Sequence, residues 1–257
     1  MEKTDKVCVL VVSCDRYRDL WGPFFTLFFR YWPDCPYQVY LCANELVYAD
    51  TRVRTVVSGP DSSWSSSLKR CLEQIPAPHL ILLQEDFLLT RRVDTRKLVH
   101  LVECLKLRGA ACLRVMPSPA PETVCADDPE LGEIARGADY RISLQAAIWD
   151  KEVLSGLLRE VESPWELENI GSRRSDTLAQ PFLSITEKDP KWWPVGYFST
   201  AVVQGRWVRE AVAICAREGI SIDGTQREIE PIFSPLGRKC LAQLRRLKRS
   251  ILPARTM

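Results

Sequence analysis

The chain has no pair of cysteines in a CxxC spacing, although it contains ten cysteines in 257 residues. They are scattered through apolar segments, as at Cys8, Cys42, Cys71, Cys104, Cys112 and Cys215, which reads as buried reduced thiols rather than a disulfide framework. Histidine is almost missing. Only His79 and His100 could add imidazole ligands, neither at a familiar spacing from cysteine, so a zinc site is not expected. The opening MEKTDK lacks the basic-then-apolar layout of a secretory signal, and synthesis and folding in the cytosol are the expectation. The apolar run within Tyr17 to Tyr31 is about ten residues, whereas a bilayer needs roughly twenty, so it reads as a core helix. No internal repeat is visible. Acidic residues are absent from 237–257, where Arg238, Lys239, Arg245, Arg246, Lys248, Arg249 and Arg255 lie. The formal net charge of +2 is therefore set by the tail, and the rest of the chain is net negative.

What is present is an ordinary globular composition, 46% hydrophobic and 26% charged, which excludes disorder. The most informative stretch is His79 to Thr90, HLILLQEDFLLT. Leu80 to Leu83 read as a strand covered on both faces, and the run breaks abruptly into Gln84, Glu85 and Asp86. Carboxylates at the carboxyl end of such a strand face the crevice where open α/β sheets bind ligands. Their hard oxygens suit a magnesium or manganese ion holding a diphosphate. The same two carboxylates could equally just end a strand or pair with Arg91 and Arg92.

In chain order, Lys6 to Cys14 reads as a first buried strand, and Tyr17 to Tyr31 as a helix whose start Gly22 and Pro23 delay. Strands follow at Tyr37 to Ala43 and Arg52 to Val57. The polar loop Gly59 to Ser66 can cap a helix from Ser67 to Ile75, with Lys69 and Arg70 near its start. After the acidic strand come a helix from Asp94 to Leu107 and a strand from Ala111 to Met116. Pro117 to Pro129 reads as a long lid loop near the site. Tyr140 to Trp149 reads as a strand, Asp150 to Val161 as a helix, and Ser163 opens another. Phe182 to Ile185 and Ala201 to Val203 add strands, and Val208 to Arg217 a helix. Strands alternating with helices argue for an α/β fold with a mixed, mainly parallel central sheet flanked by helices.

Taken together, SCDRY after the first strand, LLQEDFLL, YRISLQAAIWDKEVL, ESPWELE and VVQGRWV resemble the GT-A class of nucleotide-sugar-dependent glycosyltransferases, especially small bacterial proteins of cell-surface polysaccharide synthesis. The resemblance spans most of residues 7–218. It implies a single Rossmann-like domain over 1–236, followed by a basic tail over 237–257. It also implies transfer of a sugar from a nucleotide-sugar donor to a hydroxyl of a glycan or lipid-linked acceptor, with no nucleic-acid partner. The family's Asp-x-Asp, which holds Mg2+ or Mn2+ against the donor diphosphate, is represented by Asp86 with Glu85 as a helper; Gln84 stands at the first position and leaves metal dependence open.

The same resemblance places Ser13, Cys14 and Asp15 at the donor's base and ribose, with Lys69 and Arg70 within reach of the diphosphate. Asp15 could instead cap the following helix, and basic residues at a helix start are commonly solvated. Transfer with inversion needs a carboxylate to take the acceptor proton, and Glu166 and Glu168 are the candidates, with Glu166 favoured because it follows Trp165 directly. Ser163-Pro164-Trp165-Glu166 also fits a capping box, in which Glu166 would bond the cap amide and Glu168 would be free. Trp149, Trp165, Trp192 and Trp193 are either sugar platforms or core.

Two other classes remain open. A sugar nucleotidyltransferase resembles this pattern but carries a glycine-rich loop after its first strand, and SCDRYRDL has no glycine. A non-catalytic glycan- or partner-binding protein is compatible with Gln84. In the tail, Leu241, Leu244, Leu247 and Ile251 recur at helical spacing among basic residues, which suits peripheral attachment to an anionic membrane face or docking on the domain.

Overall fold

The structure, a computed structural model, describes residues 6–231. The basic tail and the boundary expected at residues 236 and 237 lie outside the described residues.

The chain builds a nine-stranded sheet. Its first half consists of β1 (Val7–Val12), α1 (Arg18–Tyr31), β2 (Gln38–Ala43), β3 (Val53–Val57), α2 (Trp64–Glu73), β4 (His79–Gln84), β5 (Leu88–Leu89) and α3 (Thr95–Leu107). The second half adds β6 (Cys112–Arg114), β7 (Thr123–Cys125), β8 (Asp128–Glu133), β9 (Ala147–Asp150), α4 (Lys151–Leu157), α5 (Pro164–Glu166), α6 (Ser172–Ser175) and β10 (Phe182–Ile185). Short β11 (Tyr197–Phe198), β12 (Val202–Val203), β13 (Arg206–Trp207) and α7 (Arg209–Arg217) follow. The sheet order is β3-β2-β1-β4-β9-β6-β10-β8-β7, with β8 and β9 running against the other strands. This is the mixed, mainly parallel α/β architecture that the sequence pattern implies.

The alternation of β1 sets the layers. Val7, Val9 and Val11 enter one core with Trp21, Phe24, Phe25 and Phe28 of α1 and Leu98, Leu101 and Leu105 of α3. Cys8, Leu10 and Val12 enter the other with Leu68 and Leu72 of α2 and Leu154 and Leu157 of α4. Removing one of the buried phenylalanines to alanine would cost about 3–5 kcal/mol. Side-chain caps fix the starts of α2, α3 and α4: Ser63 accepts from the Ser66 amide, Asp94 from Lys97 and Asp150 from Val153.

Several expectations are corrected here. Helix α1 begins at Arg18, so Gly22 and Pro23 lie within it rather than delaying it; a short helical turn over Asp15–Tyr17 has already set the direction. Residues 117–129 are not a lid: their second half forms the β7–β8 hairpin, which extends the sheet beyond β10 and does not line the cleft described below. The strand expected over Tyr140 to Trp149 shortens to β9. The fully buried Arg114 holds the Tyr140 and Arg141 carbonyls, which takes those backbone acceptors out of any ladder. Among the cysteines, Cys42 on β2 and Cys71 on α2 are joined as a disulfide, because direct packing of α2 on β2 brings their Cα atoms to 6.0 Å.

Candidate active site

Strands β1 and β4 are parallel neighbours, with Val12 opposite Gln84. From β1 the chain adds β2 and β3 on one side and then crosses back to place β4 on the other, so the crevice at the carboxyl ends of β1 and β4 lies at a topological switch point. A cleft of about 700 Å³ opens there, lined by Ser13, Cys14, Tyr17, Glu85, Asp86 and Glu168, among others. A tight turn, Phe87 N–H to Gln84 O at 3.1 Å, sets Glu85 and Asp86 at its floor.

Glu85 is only 8% exposed, and burial pushes its carboxyl well above the usual range, with Asp86 adding to the rise. Ser13, whose hydroxyl accepts the Trp21 indole N–H at 2.8 Å, acts in the opposite direction and lowers this carboxyl. Burial raises Asp86 to about 7. The basic partners that a purely structural pair would use are engaged elsewhere: Arg91 donates to the Pro190 and Trp193 carbonyls, and Arg92 pairs with Asp34. Among the described residues neither carboxylate makes an ion pair. Two adjacent carboxylates whose ionised forms are penalised by burial fit a divalent cation, whose charge would offset that penalty.

Glu166 and Glu168 separate cleanly. Glu166 accepts the Ser163 N–H at 2.7 Å while Ser163 accepts the Glu166 N–H, the complete capping box, and that bond holds its carboxyl below the usual range. It does not line the cleft. A π-type turn over Leu167–Gly171 follows, and Glu168 within it does line the cleft. Burial raises the Glu168 carboxyl, against the Leu144 amide at 2.8 Å, the Arg114 charge and the Ser143 hydroxyl, which lower it. Of the two candidates, the structure therefore brings Glu168 into the cleft and leaves Glu166, the one favoured from sequence, in the cap.

The donor-side candidates divide as well. Ser13 and Cys14 line the cleft, and burial followed by the Glu85 charge raises the Cys14 thiol. Asp15 is consumed by the β2–β3 connection: its carboxylate accepts the Asn44, Glu45 and Leu46 amides at 2.9–3.1 Å, and Asn44 Oδ1 accepts the Asp15 N–H. Lys69 and Arg70 do not line the cleft. Helix α2 starts at Trp64, earlier than expected, so they fall past its first turn; Lys69 is exposed and Arg70 bonds Ser62. Of the tryptophans, Trp165 lines the cleft at 72% exposure, Trp149 is core, Trp193 packs against core, and Trp192 is exposed outside the cleft.

Sequence reasoning did not identify Tyr17, Trp64, Gln145, Thr200, Gln204 or Arg227. Gln204–Gly205 is a two-residue turn between β12 and β13 with φ of 49° and 76°, a hairpin signal legible in VVQGRW. Its seat on the acidic turn, through Ala201 N–H to Asp86 O at 3.0 Å, is tertiary. Thr200 beside it has φ 71°, a left-handed conformation that costs a β-branched residue on the order of 1–3 kcal/mol. Arg227 forks onto both Asp19 oxygens at 2.8 and 2.9 Å, lies 4.5 Å over the Tyr17 ring and lowers Glu85 through its charge.

No protein-family model matches the chain, and no curated protein matches it. Among solved structures, the chain is similar to S. aureus TarS 1–349 (10% identity, TM-score 0.46, 76% of this chain and 60% of that one). It is also similar to a cytidylyltransferase from Leptospira borgpetersenii serovar Hardjo-bovis (13% identity, TM-score 0.41, 98% of each chain). A third is the bifunctional IspDF from Campylobacter jejuni (14% identity, TM-score 0.36, 61% of this chain). The chain spans 44% of the length of IspDF and 60% of TarS 1–349.

Proposed function

We propose that the chain is a glycosyltransferase that moves a sugar from a nucleotide-sugar donor to a hydroxyl of a glycan or lipid-linked acceptor. The observation that carries this reading is one cleft lined both by the carboxylates after β4 and by Glu168, a carboxylate held above its ordinary pKa and free of capping. Ser13 and Cys14 border the donor's nucleoside. Asp86, with Glu85, would hold Mg2+ or Mn2+, which when bound neutralises the donor diphosphate. Glu168 takes the proton of the acceptor hydroxyl as its oxygen bonds the anomeric carbon; the bond from that carbon to the diphosphate oxygen breaks, and the nucleoside diphosphate leaves. Trp165 supplies an exposed aromatic face for a sugar ring.

No helix among the described residues is long and apolar enough to cross a membrane. The basic run in 237–257 would instead attach the enzyme peripherally to an anionic membrane face, beside a lipid-linked acceptor. The test is a panel of nucleotide sugars assayed for release of nucleoside diphosphate with Mn2+. Release from at least one donor that is lost in Asp86→Ala is the expected result. Release of pyrophosphate from a nucleoside triphosphate plus a sugar would favour the nucleotidyltransferase reading, and no turnover with any donor the binding-protein reading.

A further inference from the structure

His100 and Cys104 stand four residues apart on α3, so they share one face of the helix, and His100 Nε2 and Cys104 Sγ lie 3.5 Å apart. Asp128, at the start of β8, completes a group whose three ligand atoms all lie within 4.8 Å of one another. Bonds of roughly 2.05 Å from nitrogen and 2.3 Å from sulfur, at a tetrahedral angle, place two such ligand atoms about 3.6 Å apart. The helix therefore already holds nitrogen and sulfur at the separation that one tetrahedral ion requires.

We propose that His100, Cys104 and Asp128 bind a zinc-type divalent transition-metal ion, at a site separate from the cleft and independent of the glycosyltransferase reading. A thiolate and a carboxylate together balance the charge of the ion, and the neutral imidazole adds none. On binding, the Cys104 thiol gives its proton to solvent as the sulfur–metal bond forms. Water takes the fourth position, reached from the exposed His100 side. The competing cation is weakly engaged: Arg108 lies 3.9 Å from Asp128 but already bonds Asp127 at 2.9 Å. One Asp128 oxygen accepts the Glu130 amide at 3.1 Å, which steadies the carboxylate. Zinc is not expected from the sequence because neither histidine sits at a familiar zinc-site spacing from cysteine. The helical i, i+4 spacing of His100 and Cys104 supplies two ligands instead, and folding of the β7–β8 hairpin against α3 supplies the third. The ion would tie the hairpin to the helix at the end of the sheet.

The experiment titrates the purified full chain with Co2+, followed by its thiolate charge-transfer absorption, and then displaces Co2+ with Zn2+. The expected result is a thiolate band that accounts for one equivalent, disappears in Cys104→Ser and persists in Cys14→Ser, the thiol in the cleft, while any Co2+ held by the cleft carboxylates adds no such band. His100→Ala, altered at an exposed position, and Asp128→Asn should weaken Zn2+ binding at least about tenfold, and they carry the test if Cys104→Ser fails to fold. Absence of the band in the wild-type chain, its persistence in Cys104→Ser, or unchanged affinity in His100→Ala would overturn the proposal.

Discussion

Glu168 accepts the Leu144 amide at 2.8 Å, and that bond anchors in the cleft wall a carboxylate that burial holds above its usual pKa. Two positions earlier, Glu166 spends its carboxylate on the Ser163 amide at 2.7 Å. The two should fail differently when changed. Ser163→Ala removes the cap acceptor and should lower stability by about 1 kcal/mol with turnover nearly unchanged. Glu166→Gln keeps an oxygen acceptor for the Ser163 amide and loses only the charge at the helix start, so it should lower the melting temperature less than Ser163→Ala and keep kcat. Thermal melts paired with initial rates check this, and a large loss of kcat in Glu166→Gln at full stability would return the base to that position.

The paired carboxylates at the end of β4 should make stability depend on pH and, if they hold the proposed ion, on Mn2+. Asp86 titrates at about 7 in the folded protein, against about 3.9 in an unfolded chain. Between those values the native state keeps a proton that the unfolded chain has lost, so stability falls as pH rises from about 4 to about 7 and then levels off. Asp86→Asn removes this dependence. In metal-free buffer the melting temperature of the wild type relative to this variant should drop across that window, and excess Mn2+ above pH 7 should recover it in the wild type only. A difference that is flat with pH and indifferent to Mn2+ would contradict the assignment.

Arg227 and Asp19 form an ion pair in which both side chains are 8% exposed. Breaking it from one side leaves an uncompensated buried charge. Arg227→Met should therefore cost about 3 kcal/mol, and the double variant with Asp19→Asn should recover much of that. Because Arg227 also covers Tyr17 of the cleft, the single variant should raise the donor KM. Denaturant unfolding of the three variants measures the coupling, and strictly additive losses would rule it out.

Much of the sheet was legible because β1, β2 and β4 are continuous apolar runs, and the helix start at Ser163 was legible from its capping box, whereas the Ser63 cap lay unread inside a polar loop. The acidic break after β4 was legible for the same reason: nothing apolar competes with Glu85 and Asp86 for that turn. What escaped was set by contacts distant in sequence. Asp15 is read by the amides of Asn44, Glu45 and Leu46, and Arg227 by Asp19 across 208 positions. The strand expected from Tyr140 was shortened by a single buried side chain, Arg114, whose hydrogen bonds no periodicity encodes. The choice between Glu166 and Glu168 turned on a capping box visible in the sequence, but its consequence needed the turn that places Glu168 in the cleft.

The central claim is that Glu168 takes the acceptor's proton, and the most direct measurement is single-turnover sugar transfer by Glu168→Gln with donor saturating. The account predicts a fall in rate of about 10²- to 10⁴-fold with donor affinity and melting temperature near those of the wild type. It also predicts that the wild-type rate declines as pH falls through the raised Glu168 pKa, because the base must be ionised, and that this limb is absent from the residual rate of the variant. A Glu168→Gln protein that turns over at the wild-type rate, or that keeps the acidic limb, would contradict it.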